Sequence, residues 1–197
     1  MKKESNALYI LRLAATLLAI CAAVALALAG VNSITKDRIA AIQAEKTQKA
    51  ISEVLPGVSG VEEIPFTDES GLVRKVYQAK YPASHFELEM FPDYAVEVTP
   101  AGFGGDITLM VGVNRSGKIL GISIISHTET AGLGAVAGAN SAKGQAFRDS
   151  FIGLFGPVAP SKDGGEADTI TGATITSRAI CDGVNAAVAC VKNMPLD

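Results

Sequence analysis

The apolar and polar positions of this chain divide it into three stretches with different periodicities. From Leu13 to Thr35 no residue is charged, and Ala, Leu, Ile and Val dominate. Such a run is long enough to cross a bilayer as a helix, which needs ~20 apolar residues. From Ile34 to Val54 the apolar residues thin to Ile34, Ile39, Ile42, Ala50, Ile51 and Val54, set among Lys, Arg, Glu and Gln. That spacing predicts an amphipathic helix continuing the span as a stalk. Leu55-Pro56-Gly57 stops it, because proline and glycine together break a helix. The expected organisation is an anchor over 1–35, a stalk over 36–57 and a folded domain over 58–197.

Within the folded domain, Val73 to Ala79 reads as a strand, and Tyr94 to Val98 alternates as strands do. Ile107–Val113 and Lys118–Ile125 are β-rich runs joined by Asn114-Arg115-Ser116-Gly117, a hairpin turn. A glycine-rich loop follows from Thr128 to Gly144, then a short helix over Gln145–Leu154 and a loop of Pro, Gly, Lys and Asp. Ile180, Val184, Ala187, Val188 and Val191 recur at helical spacing and predict a final helix over Ser177–Lys192. Antiparallel strands with helices set apart from them make an α+β domain.

Composition refines this picture. The chain has 197 residues with 17 basic and 20 acidic. Lys2, Lys3, Arg12 and Glu4 precede the apolar run, so the remainder is more acidic still. An acidic domain lacks the basic face that nucleic acid requires. The long apolar run favours an uncleaved anchor over a signal peptide, whose apolar core is about 7–15 residues. Cys21 sits inside the run after Ile20, where lipidation would need a small residue, and is read as a membrane-helix residue. Lys36, Arg38, Lys46 and Lys49 follow the span as closely as Lys2, Lys3 and Arg12 precede it, so flanking charge does not orient it. Cys181 and Cys190 are nine residues apart on one predicted helix. At ~1.5 Å per residue that is roughly 13 Å, beyond the ~7 Å reach of a disulfide, so both are read as core residues.

Two stretches carry candidate chemistry. Asp168-Thr169-Ile170-Thr171-Gly172-Ala173-Thr174-Ile175-Thr176 is a threonine-rich turn feeding a helix, with Thr176 where that helix begins. A helix start presents unpaired N–H groups and a positive dipole end, which suits an anion. Gly172 and Ala173 remove side-chain bulk beside it. The bland alternative is an ordinary turn in which Thr176 caps the helix. The second stretch, His127-Thr128-Glu129-Thr130-Ala131-Gly132-Leu133-Gly134, follows a strong strand. Its glycines permit φ > 0 and close ligand approach, although a lone Glu is ordinarily solvated. A third pattern is rejected. Gly112 to Lys118 matches most of a phosphate-binding P-loop, but Ile119 stands where Ser or Thr would hold magnesium, and the segment lies between two strands.

The threonine run resembles the Asp-x-x-(Ser/Thr)-Gly-Ala-(Thr/Ser)-x-Thr signature of FMN-binding domains. His127 to Gly134 resembles their His-x-Glu-Thr-Pro-Gly-Leu-Gly loop, with Ala131 at the usual proline. Gly102-Phe103-Gly104-Gly105, followed by Ile107 and Val111-Gly112-Val113, resembles their hairpin entry. With anchor, stalk and size, the chain is most similar to the G subunits of Rnf electron-transport complexes, and also to the C subunits of sodium-pumping NADH:quinone reductases. The resemblance implies FMN esterified to Thr176 by a flavin transferase, with Asp168, Gly172 and Ala173 recognised by that transferase. It implies a cofactor site formed by Thr171, Gly172, Ala173, Thr174, Glu129, Thr130, Leu133, Gly134 and Phe103, with no residue acting as a catalytic acid or base in turnover and no metal. It further implies a single-pass protein of the cytoplasmic membrane whose N-terminus is cytoplasmic and whose domain is extracytoplasmic. Its partners would be the integral and peripheral subunits of an Rnf-type ferredoxin:NAD oxidoreductase that exports a cation. A stand-alone extracytoplasmic flavoprotein reductase and a flavin-free scaffold are the competing functions.

Overall fold

The computed structural model describes residues 6–81 and 92–194. Lys2, Lys3 and Glu4 of the expected N-terminal segment lie outside the described residues. Helix α1 spans Asn6–Val54, and by length and composition it is able to cross a membrane. The chain divides into two compact units, 1–45 and 46–197. The second unit therefore begins in the last turns of α1, ahead of the Leu55-Pro56-Gly57 break.

Five strands build that unit: β1 (Gly60–Ile64), β2 (Val73–Lys80), β3 (Asp93–Val98), β4 (Thr108–Asn114) and β5 (Ile119–Ser126). They form one sheet in the order β1-β2-β3-β4-β5, every neighbouring pair antiparallel. Helix α2 covers Ala142–Asp149 and helix α3 covers Thr174–Lys192. The expected α+β architecture is what the chain adopts.

The two faces of the sheet are covered by different elements. Tyr94, Val96, Val98, Leu109, Val111 and Val113 pack with Ile180, Val184, Val188 and Val191 of α3 and with Phe147 and Phe151. The alternate residues Tyr77, Ala79, Ala95 and Met110 pack with Ala50, Ile51, Val54 and Leu55. Coverage on both faces explains why β3 and β4 are buried almost throughout rather than on every second residue. Full burial of each large aliphatic contributes about 1.5–3 kcal/mol, so α3 is held firmly against the sheet.

The false P-loop has a structural explanation. Gly112 pairs with Gly121 across β4 and β5, and a Cβ on Gly112 would lie 2.6 Å from the Val54 carbonyl oxygen. Bare backbone there lets the end of α1 sit against the sheet. Gly117, at φ 83°, closes the β4–β5 turn, and the Asn114 side chain accepts from the Lys118 amide at 2.9 Å.

Several elements depart from the sequence expectation. β1 is an additional strand, short and exposed at the sheet edge, whose Glu62 and Glu63 pair with Lys80 and Lys75 at 2.6 and 3.0 Å. Charged edges of this kind carry no apolar pattern. The glycine-rich loop Thr128–Gly144 contains a 3-10 helix at Gly134–Gly138 and the first turn of α2. Helix α2 starts earlier than expected because Ser141 caps it, accepting from the Gly144 amide at 3.2 Å. It ends by Asp149 instead of Leu154.

Candidate functional site

Three loops converge on the start of α3: 102–105 ahead of β4, 127–134 after β5, and 168–173. Helix α3 begins at Thr174, three residues earlier than its apolar periodicity indicates, with Ala173 at the cap position and no side-chain cap. The early start is secured by Ser177, which is fully buried. Its hydroxyl accepts from the Ile170 amide at 3.0 Å and donates to the Ala173 carbonyl at 3.1 Å. Thr176 is therefore in the first turn and is not the cap.

The Thr176 hydroxyl has a different partner. Thr176 is 1% exposed and Glu129 8% exposed, and the hydroxyl donates to Glu129 Oε2 at 2.5 Å. The other carboxylate oxygen accepts from the Gly104 amide at 2.9 Å. Thr128 ties the same loops together, its hydroxyl donating to the Gly104 carbonyl at 2.8 Å. A hydrogen bond to a charged acceptor is stronger than a neutral one, by roughly twofold.

The motif glycines make room for this pair. A Cβ on Gly102 would lie 2.3 Å from Glu129 Oε1, and one on Gly134 would lie 2.3 Å from Glu129 Oε2 and 2.6 Å from Thr176 Oγ1. Gly134 is thus required for space, whereas the positive φ in its loop belongs to Gly132 at 76°. Gly172 takes φ 79° in the turn before α3.

Above the Thr176–Glu129 pair opens a cleft of about 350 Å³ lined by Phe103, Glu129, Thr130, Leu133, Gly134 and the segment 172–176. Phe103, Leu133 and Ile175 are 69%, 44% and 52% exposed there, large apolar side chains left facing solvent. On its polar side Lys162 Nζ lies 3.4 Å from Thr174 Oγ1. The turn that carries Lys162 is pinned to α3 by Arg178, whose guanidinium donates twice to Asp163 at 2.7 Å and holds that carboxyl below its usual range.

Of the residues expected at the site, Phe103, Glu129, Thr130, Leu133, Gly134, Gly172, Ala173, Thr174 and Thr176 line this one cleft. Thr171 is exposed on the turn and is not among the lining residues, and Asp168 is exposed, its amide donating to Ser150 Oγ at 3.0 Å. Glu129 is not the solvated residue that a lone Glu suggests. Ile175 lines the cleft without a signal in the sequence, because it fills a variable motif position, and Lys162, outside the lining, reaches Thr174 from a loop twelve residues away.

Residues 102–189 match the FMN-binding domain family, and residues 1–54 match the RnfG N-terminal region. The G subunit of a sodium-translocating ferredoxin:NAD oxidoreductase complex from Acetobacterium woodii is 30% identical over 195 residues, covering 94% of this chain and 93% of the relative. The chain belongs to the family of Rnf-complex G subunits. The G subunit of an ion-translocating oxidoreductase complex from Methanosarcina acetivorans is 31% identical, covering 93% of this chain and 95% of the relative. Its counterpart in a proton-translocating ferredoxin:NAD oxidoreductase complex from Clostridium ljungdahlii is 42% identical, covering 48% of this chain and 51% of the relative. Among solved structures, the C subunit of the sodium-translocating NADH-quinone reductase of Parabacteroides distasonis aligns with a TM-score of 0.46 at 24% identity, covering 62% of this chain and 64% of that one.

Proposed function

We propose that this protein is a membrane-anchored flavoprotein that relays electrons within an Rnf-type ferredoxin:NAD oxidoreductase, through FMN esterified to Thr176. The observation that carries the reading is the placement of the Thr176 hydroxyl on the floor of a cleft that joins an uncapped helix start to exposed apolar side chains. Small-molecule sites run from about 300 to 1,000 Å³, and a cleft of about 350 Å³ falls within that range.

The residues present fit an FMN in their chemistry as well as their space. The first-turn amides of α3 and the ammonium of Lys162 suit a phosphate on Thr176. Phe103, Leu133 and Ile175 suit the flat apolar ring, whose contact would remove them from water. Bound FMN supplies the one- and two-electron chemistry, and the chain supplies attachment, orientation and electrostatic setting. Asp168 and Gly172, both exposed, are available to a transferase, whereas Ala173 is buried behind them.

The fold supports the same division of labour. Helix α1 anchors the chain, and a covalent link retains the flavin on the extracytoplasmic side, where a dissociating cofactor would be lost by dilution. Among the described residues one helix is long and apolar enough to cross a membrane, and one helix does not build a pore, so ion translocation belongs to the partner subunits of the complex. The decisive test is in-gel flavin fluorescence of the denatured full-length chain. Wild type is expected to fluoresce and Thr176→Val, which keeps β-branching and volume, to lose the signal while remaining folded. A fluorescent Thr176→Val band would move the attachment elsewhere.

A further inference from the structure

The contact between Thr176 and Glu129 has chemical consequences for how the cofactor is attached. An ester on Thr176 requires its hydroxyl to lose a proton, and the atom already accepting that hydrogen bond is Glu129 Oε2 at 2.5 Å. The other titratable group on this loop, His127, is engaged elsewhere: its Nδ1 accepts the Glu129 amide at 3.3 Å, and its ring packs against Gly138. Gly104 fixes the far oxygen of the carboxylate, and glycines at 102 and 134 leave it room, since a Cβ at either would lie 2.3 Å from one of its oxygens. The carboxylate is therefore positioned in advance of any reaction.

We propose that Glu129 is the proton acceptor for esterification of Thr176, so that this chain supplies part of the catalytic machinery for its own modification. The inference rests on the reading of Thr176 as the attachment point. Because a phosphate monoester does not phosphorylate a hydroxyl unaided, the donor must be an FMN phosphoanhydride, for which flavin adenine dinucleotide is the reagent. Thr176 Oγ1 forms a bond to the flavin-bearing phosphorus, and the anhydride P–O bond breaks. AMP departs with the electron pair of that bond, and the hydroxyl proton passes to Glu129. Once the ester exists Thr176 has no proton to donate, and the linked phosphate is an anion.

The test follows labelling of the full-length, detergent-solubilised chain by a purified flavin transferase with flavin adenine dinucleotide, read as in-gel fluorescence and as a mass increase. General acid–base catalysis contributes about 10²–10⁴-fold, so Glu129→Gln is expected to lower kcat for labelling at least ~100-fold with KM for the chain unchanged. Glu129→Asp keeps the charge but withdraws it from Thr176, and is expected to fall between the two. Protection of Cys181 and Cys190 from alkylation verifies that each variant is folded. Wild-type kcat in folded Glu129→Gln or Glu129→Asp, or a loss confined to KM, would overturn the role of Glu129. Labelling that persists in Thr176→Val would instead overturn the attachment site beneath it.

Discussion

Substituting Gly134 by alanine isolates the steric requirement at the floor of the cleft. The added Cβ would stand 2.3 Å from Glu129 Oε2 and 2.6 Å from Thr176 Oγ1, closer than any relaxed contact. Either the carboxylate rotates away, or the 3-10 helix at Gly134–Gly138 moves outward. In the first case the Thr176 hydrogen bond is lost, costing about 1.5–3 kcal/mol for a charged acceptor. In the second, overpacking costs about 1–3 kcal/mol. Gly132→Ala is the matched control: its φ of 76° makes it strained, but nothing lies within 4 Å of the new Cβ. That strain amounts to roughly 1–2 kcal/mol and leaves the Thr176–Glu129 pair alone. Both variants can be followed by alkylation of Cys181 and Cys190 across a urea series in a Cys21→Ser background. Burial raises those two thiols to about 12 and about 11, so they react only when the domain opens. Gly134→Ala is expected to shift the midpoint and to depress flavin labelling, whereas Gly132→Ala shifts the midpoint alone. Wild-type labelling in Gly134→Ala would refute the close-approach reasoning.

Gly112→Val would drive a branched side chain into the Val54 carbonyl, 2.6 Å from the new Cβ. It should destabilise the domain by about 1–3 kcal/mol in the same urea assay, and wild-type stability would show that α1 does not pack on this glycine. Asp93 is buried and accepts from the Tyr81 hydroxyl at 2.5 Å, and burial raises its carboxyl despite that bond. Its protonated form therefore favours folding below its unfolded value of about 3.9, and that contribution is lost as pH rises through the raised folded value. Asp93→Asn should gain stability relative to wild type as pH rises above about 4 and through the raised folded value, and a pH-independent difference in thermal midpoint would refute the assignment. Lys143 is exposed on α2, so Lys143→Cys should react with a membrane-impermeant maleimide in intact cells if the domain is extracytoplasmic. Labelling only after membrane disruption would reverse the topology.

Legibility in the sequence depends on how each element meets water. The β4–β5 hairpin and α3 are readable because their apolar residues recur over several turns or alternations and their ends carry turn residues. β1 is not, since an exposed edge strand stabilised by Glu62–Lys80 and Glu63–Lys75 pairs lacks an apolar signature. The first turn of α3 escapes the periodicity for a related reason. Thr174, Ile175 and Thr176 face the cleft, so they follow the needs of the site and break the core-facing period. The motif glycines are visible as letters, but their purpose is not. Gly102, Gly104 and Gly134 come from two loops far apart in sequence, and only the folded chain reveals that their missing side chains clear space around one carboxylate and the loop that holds it.

Glu129 shows what local pattern leaves out. In isolation a glutamate in a glycine-rich loop is most simply solvated, and nothing nearby in sequence contradicts that. Its burial arises because β5 delivers 127–134 against the start of α3, while the segment before β4 supplies the Gly104 amide from the other side. Each of these elements is fixed by the core beneath it: Leu109 and Val111 under the hairpin, Ile180 and Val184 under the helix. The hydroxyl and the carboxylate are thus held together by packing rather than by their own attraction, since an ion-assisted hydrogen bond of about 1.5–3 kcal/mol is small beside the apolar burial that orients both. A reactive pair positioned this way survives loss of its own hydrogen bond. The proposed change from an unmodified to an esterified Thr176 would therefore not require the domain to refold around it.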